Sequence, residues 1–156
     1  SKDNYHFLEA CEILGDLRAS NGKFAEAEEA YDKLSQSPIE SVKLRGTVAK
    51  GLVLLKQGKV PEATSAFDSV ASLPLKPEDE YQQKQVRSAK LGKAACLAAS
   101  GKPEEGIKIA EAIIDEAPDD AQLFSRAYNT LGACCIAAKK PKEAALAYLH
   151  VDVLYA

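Results

Sequence analysis

The chain has 156 residues, of which 46% are hydrophobic and 6% aromatic, and its formal net charge is −3 at pH 7. This length is sufficient for one domain with a buried core. The nearly balanced charge gives no basic surface of the kind that binds nucleic acid. No apolar run approaches the ~18 residues of a membrane-spanning helix, so membrane insertion is not expected.

Apolar residues recur with helical spacing along nearly the whole chain, and the alternation typical of strands is missing. The pattern predicts an all-α fold with about eight helices arranged as four hairpins. The predicted helix pairs span residues 4–20 with 23–36, 41–57 with 60–73, 79–99 with 103–116, and 121–138 with 141–154.

Turn and start signals separate these helices. The predicted turns inside the hairpins are Asn21-Gly22, Gln57-Gly58, Ser100-Gly101 and Lys139-Lys140. Proline is favoured in the first turn of a helix, where its missing N–H has no helical partner. The second helices accordingly begin near Pro61, Pro103 and Pro141. Asp119 or Asp120 is the predicted N-cap of the helix that begins near Ala121.

A pattern of small and aromatic residues recurs once per hairpin. A small residue opens each copy, and a second small residue follows 12 positions later. In three of the four copies an aromatic residue lies 16 positions after the first small residue. The residues concerned are Gly15, Ala27 and Tyr31; Gly51, Ala63 and Phe67; Ala94, Gly106 and Ala110; and Gly132, Ala144 and Tyr148. Successive copies are 36, 43 and 38 residues apart, a spacing typical of repeats of paired helices.

These positions resemble the tetratricopeptide repeat, and the resemblance covers nearly the whole chain. The first copy supplies the family's Leu14-Gly15, Gly22, Ala27, Tyr31 and Pro38; in the fourth copy Lys139 replaces the turn glycine. The resemblance implies a right-handed α-α superhelix, or solenoid, of four hairpins in a single domain. The repeats would span residues 4–38, 41–75, 79–118 and 121–156. Because the chain starts without Met and stops within an apolar run, we expect it to be a fragment of a longer protein.

The longest step between copies, 43 residues, places extra residues in the segment Leu73–Gln85. These residues should lengthen the first helix of the third hairpin and the loop before it. The segment is either a solvated extension or a projection that contacts a partner.

The resemblance also implies a function. Tetratricopeptide first helices line a concave groove that binds a peptide or protein segment, so the chain is predicted to be a non-enzymatic interaction scaffold. The predicted groove residues are Glu9, Glu12, Asp16, Arg45, Val48, Leu52, Leu55, Leu91, Arg126, Asn129 and Ile136. Leu52 and Leu91 could equally pack against neighbouring helices. The full clamp for a chaperone's acidic tail is missing, although Arg45, Arg126 and Asn129 resemble parts of it.

No catalytic, metal or cofactor motif occurs, so no enzyme activity, metal or cofactor is predicted. The four cysteines lie in predicted helices and are expected to be reduced and buried. This favours a cytoplasmic location, with a periplasmic one open if the parent protein carries a signal peptide. If exposed, Cys134 and Cys135 could respond to oxidants or bind a soft metal.

The last predicted helix stays apolar to its end. A solenoid needs a polar outer side on its terminal element. Either further repeats follow, or Val151, Leu154 and Tyr155 bury against a second copy. A homo-oligomerising structural element, with a homodimer through this helix, is therefore the alternative function.

Overall fold

The computed structural model describes residues 2–116 and 119–155, and within these ranges the chain is helical with no strand. Side chains are described for residues 4–116 and 119–151. The helices are α1 (Lys2–Ser20), α2 (Phe24–Ser35), α3 (Glu40–Lys56), α4 (Val60–Ala71), α5 (Glu80–Ala99), α6 (Pro103–Glu116), α7 (Ala121–Ala137) and α8 (Pro141–Tyr155). The predicted all-α class and the predicted four helix pairs are confirmed.

Each hairpin turn contains one residue in the left-handed backbone region. These residues are Gly22 (φ 74°), Gly58 (φ 76°), Gly101 (φ 79°) and Lys139 (φ 61°). The following residue donates its N–H to a carbonyl five positions back, as Lys23 does to Arg18 at 2.8 Å. This is the Schellman arrangement, in which glycine avoids the steric cost of a Cβ. Lys139 carries that cost, which is about 1–2 kcal/mol for an ordinary residue.

The predicted start signals are also observed. Helices α6 and α8 begin at Pro103 and Pro141, and Pro61 is the second residue of α4. The Asp120 carboxylate accepts a hydrogen bond from the backbone N–H of Leu123 at 2.9 Å, so Asp120 is the N-cap of α7. Proline and capping chemistry therefore determine where these helices begin.

Inside three of the hairpins an aromatic ring packs directly over a glycine of the partner helix. A Cβ at Gly51, for example, would lie 2.7 Å from a ring carbon of Phe67. The rings of Tyr31 and Tyr148 cover Gly15 and Gly132 in the same way. These rings thus fix the approach of the two helices within one hairpin.

The third hairpin uses another solution. Ala110 stands where the other hairpins have the aromatic residue, and the glycine lies on the second helix. A Cβ at Gly106 would lie 2.7 Å from the carbonyl oxygen of Ala94 on the first helix. The close approach therefore persists, but a backbone contact replaces the ring.

The contacts divide the chain into two compact units, Ser1–Val86 and Arg87–Ala156. The first unit has a core cluster of Leu8, Cys11, Ala27, Tyr31, Leu34, Val42 and Val53. The second unit has two clusters, one around Leu91, Ala110, Ile113, Leu123 and Ala127 and one around Ala94, Ile107, Cys134, Cys135 and Ala144. The boundary falls inside α5, so the expectation of a single domain stays a prediction.

The extra residues before the third hairpin are held by glutamine side chains. Gln82 is buried and donates to the carbonyl of Pro74 at 2.9 Å, while its oxygen accepts from the N–H of Lys76 at 3.2 Å. Gln83 donates to the carbonyl of Lys76 at 2.7 Å. Helix α5 has 20 residues, against 17 in α3, so the predicted lengthening is confirmed.

Candidate functional site

In the first unit, three of the seven predicted groove residues of α1 and α3 line one cleft. The cleft has a volume of about 450 Å³. Glu9, Glu12 and Arg45 line it, together with residues that the sequence analysis did not select. These are Tyr5, Leu8, Ile39, Ser41, Val42 and Tyr81. Two first helices and the start of a third therefore form a mixed polar and aromatic surface.

An ion pair lies at the centre of this cleft. Arg45 Nη2 is 2.6 Å from Glu12 Oε2, and the Arg45 Nε atom is buried without a hydrogen-bond partner among the described residues. Burial raises the pKa of Glu12 above its usual value, Arg45 opposes that shift, and the negative charges of Asp16 and Glu9 add to it. The Glu12 carboxylate thus pairs with Arg45 Nη2 and leaves Nε without a hydrogen bond, although Glu9 lines the same cleft.

Two tyrosines of the first unit interact with acidic side chains. The Tyr31 hydroxyl donates to Asp16 Oδ1 at 2.5 Å, and burial together with that carboxylate raises the pKa of Tyr31. Burial also raises the pKa of Tyr81, which lies at the start of α5. The Tyr81 hydroxyl donates to the Ser41 carbonyl at 3.4 Å, so both tyrosine hydroxyls already act as hydrogen-bond donors within the unit.

Two of the predicted groove residues expose almost no surface, and for Leu91 this agrees with the alternative that it packs against neighbouring helices. Val48 and Leu91 are buried, and Leu91 packs in a cluster with Ala110 and Leu123. By contrast, Leu52 is exposed and Leu55 is half-buried on α3. Helical phase explains the difference, because a first helix contacts both its own partner and the neighbouring hairpin and leaves only a narrow stripe free.

In the second unit, Arg126 has a structural partner. Its Nη1 donates to Ser88 Oγ of α5 at 2.9 Å, and burial lowers its pKa while Asp120 opposes that shift. Asn129 and Ile136 are exposed on α7. Arg126 therefore joins α7 to α5, and the freely accessible predicted residues here are Asn129 and Ile136.

A second cleft lies between α6, α7 and α8 and was not predicted. It has a volume of about 420 Å³. The Tyr128 and His150 rings stack in it with centroids 4.6 Å apart and planes at 19°. The other lining residues are Ile107, Glu111, Leu131, Cys135, Lys140, Glu143, Leu146 and Ala147.

The family model described as tetratricopeptide repeat matches residues 14–80 and 48–121. The chain belongs to the tetratricopeptide repeat family. No curated protein matches it. Tetratricopeptide repeats generally mediate protein–protein interactions and are typically non-enzymatic scaffolds, so the family indicates protein partners for this chain. No helix in the described ranges is long and apolar enough to cross a membrane.

Within this tetratricopeptide fold all four cysteines are free thiols, and their side chains are buried. Burial, with a smaller effect of Cys135, raises the pKa of Cys134 to about 11, and burial also raises the pKa of Cys135. Because thiols react with oxidants and soft metals as thiolates, these surroundings disfavour the redox alternative. Among the described residues no cluster of three or more His, Cys, Asp or Glu side chains could hold a metal.

Three of the residues that sequence reasoning missed occupy positions where the tetratricopeptide repeats differ. Tyr81 belongs to the extra segment Leu73–Gln85, at the start of α5. Tyr128 and Leu146 lie where the second hairpin has Thr47 and Ser65. A position-by-position comparison of the repeats, rather than of their shared residues, would have found them. The side chains of Leu154 and Tyr155 lie outside the described residues, and Val151 is half-buried.

Proposed function

We propose that this chain is a non-enzymatic scaffold that binds a peptide segment of a protein partner on the first-helix face of its first unit. The observation that carries the proposal is the cleft around Arg45, Glu12 and Tyr81. It combines a partly exposed guanidinium with carboxylate acceptors and phenol rings. A peptide presents main-chain carbonyls and N–H groups together with apolar side chains, and such a surface matches both.

The charges and apolar side chains of this surface indicate which kind of peptide would bind. The cleft contains Glu9 and Glu12 against the single cation Arg45, so a segment with a basic side chain beside an apolar one fits it best. Leu52 and Leu55 on α3 provide neighbouring apolar contacts. Asn129 and Ile136 are the accessible predicted contacts of the second unit.

The test is peptide selection followed by substitution. Peptides selected from a random display library on the wild-type chain should bind, and Arg45→Ala with Tyr81→Ala should weaken binding by at least tenfold, or about 1.4 kcal/mol. Fluorescence anisotropy of a labelled selected peptide measures the affinity. Circular dichroism checks that the helices are retained.

Lys43→Ala is the matched control, because Lys43 is an exposed residue of the same helix and does not line the cleft. It should leave the affinity unchanged. Equal affinities for wild type and the Arg45→Ala/Tyr81→Ala variant would place binding elsewhere and overturn the assignment of this cleft.

A further inference from the structure

The outer face of α1 carries exposed apolar side chains where the later first helices are covered. Leu17 is 57% exposed. The repeat spacing aligns it with Val53, Cys96 and Cys134, which are at most 4% exposed. Phe7 and Leu14 are exposed on the same helix. The α1 face therefore has apolar residues like those that form contacts between hairpins, but no helix of the described residues packs on it.

The internal hairpins show what covers such a face. The second helix of one hairpin packs on the first helix of the next, as α2 does on α3 and α6 does on α7. At the α2–α3 contact Gly46 lies so close to Leu34 that a Cβ would clash with it. The small residue at the same position of α1 is Ala10, which is exposed. Because Ala10 has the Cβ that Gly46 lacks, a second helix that packs on α1 would lie farther from it than α2 lies from α3.

The outer face of α8 is also exposed where the equivalent face of α2 is covered. Tyr148 covers Gly132 just as Tyr31 covers Gly15. However, Tyr148 is 39% exposed, whereas Tyr31 is 5% exposed and packs in a cluster with Val42 and Val53 of the next hairpin. Helix α8 is therefore a second helix without a following first helix over it among the described residues.

One pair of positions links the two faces. At the α2–α3 contact Lys50 Nζ is 2.5 Å from Asp32 Oδ1. The repeat spacing aligns Asp32 with Leu149 on α8 and Lys50 with Leu14 on α1. Where the internal contact has an ion pair, both outer faces have an exposed leucine. An apolar residue on each side is the combination that would pack if the two faces met.

We propose that α8 of one copy packs on α1 of a second copy, so that the chains associate head to tail and continue the hairpin stacking. Leu149 of one copy would contact Leu14 of the next, with Tyr148 and Leu17 beside them. Such a contact joins two different faces, so it leaves one free face at each end and can add further copies. This differs from the homodimer through the C-terminal helix that the sequence predicted, and it uses no residue of the Arg45 cleft.

Complementary variants test the proposal. Leu17→Glu blocks the α1 face, and Leu149→Glu blocks the α8 face; both side chains are exposed, so the core is untouched. The mass of the wild-type chain, measured by analytical ultracentrifugation, should rise with concentration above the 16.7 kDa of one copy. Each variant alone should associate at least tenfold more weakly. An equimolar mixture should form a one-to-one dimer that does not grow, because each variant retains the face that its partner lacks.

Leu75→Glu is the control for adding a carboxylate at an exposed leucine, since Leu75 lies between α4 and α5. It should associate as the wild type does. A wild-type chain that stays monomeric overturns the proposal, and the α1 face then belongs to another partner. Leu149→Glu chains that associate as strongly as the wild type overturn it too, because their contact would not need the α8 face.

Discussion

Two clefts occupy the same place in the repeat, one in each unit, and four of their equivalent lining positions differ in chemistry. The cleft between α2, α3 and α4 has a volume of about 520 Å³ and is lined by Thr47, Lys50, Ser65 and Ser69, among others. The equivalent positions between α6, α7 and α8 are Tyr128, Leu131, Leu146 and His150. At these four positions hydroxyl and amine groups in the first unit thus correspond to aromatic and aliphatic side chains in the second, whereas the charged Lys59 and Glu62 correspond to Lys140 and Glu143.

This difference shows that packing and surface chemistry vary separately in a repeat protein. The glycine–ring contacts at Gly51 and Gly132 are nearly the same, and yet the side chains around them have changed class. Packing positions are constrained by close contacts, whereas a cleft position must only avoid a clash. Binding specificity therefore resides in the residues that differ between repeats.

The largest expected effect compares the two ring contacts. Gly51→Ala should lower the free energy of unfolding by about 2 kcal/mol, because the new Cβ overpacks against the fully buried Phe67 and alanine's better helix propensity offsets only part of that cost. Gly132→Ala should cost under about 1 kcal/mol, since the half-exposed Tyr148 can move. Urea unfolding followed by circular dichroism measures both, and equal losses would contradict the comparison.

A smaller effect compares the two turns. Lys139→Gly should raise the free energy of unfolding by about 1 kcal/mol, because Lys139 adopts φ 61° where the equivalent Gly58 has φ 76°. The reciprocal change Gly58→Lys should lower stability by a similar amount. Thermal unfolding gives both values, and a Lys139→Gly variant no more stable than wild type would show that no strain is stored at that turn.

The smallest effect compares a charge with an aliphatic residue. Hydrogen bonds from Gln57 (2.8 Å) and Lys59 (2.9 Å) lower the pKa of Glu28 below its usual value, whereas the equivalent residue of the second unit is Ile107. Because the folded state favours the carboxylate, this stabilisation is complete above the ordinary pKa of 4.5 and is lost as pH falls through the folded pKa. Glu28→Gln should therefore lower the free energy of unfolding by about 0.5 kcal/mol at pH 7, and by progressively less as the pH is lowered towards 2.

Urea unfolding of wild type and Glu28→Gln across this pH range checks the prediction. Gln57→Leu removes the first of the two donors and should reproduce part of the loss at pH 7. A difference between wild type and Glu28→Gln that does not change with pH would mean that the hydrogen bonds to Glu28 do not favour its ionised form.

Much of the fold was predictable because its signals are local. Gly22, Gly58 and Gly101 mark left-handed turns, and Asp120 caps α7, since the backbone geometry at each position depends on few neighbours. The third hairpin was harder. Its two helices lie close together although Ala110 replaces the aromatic residue. Only the coordinates show that Gly106 permits this approach, because it packs against the Ala94 carbonyl.

The candidate site was predictable only in part. Glu9, Glu12 and Arg45 lie together as the family resemblance implied. Val48 and Leu91 are buried, because which face of a first helix stays free depends on how closely the neighbouring hairpin packs. Tyr81 reaches the cleft from a segment whose path depends on the Gln82 hydrogen bonds, and no local pattern encodes that path.

By itself the sequence determined the helices, their turns, the repeat register and hence the tetratricopeptide family, because periodicity, glycine, proline and capping act over a few residues. Only the tertiary structure decided which apolar residues are covered. Leu17 and Cys134 occupy the same repeat position, and the first is exposed while the second is buried. Burial depends on what lies across the contact, and that is a property of the neighbouring hairpin rather than of the residue.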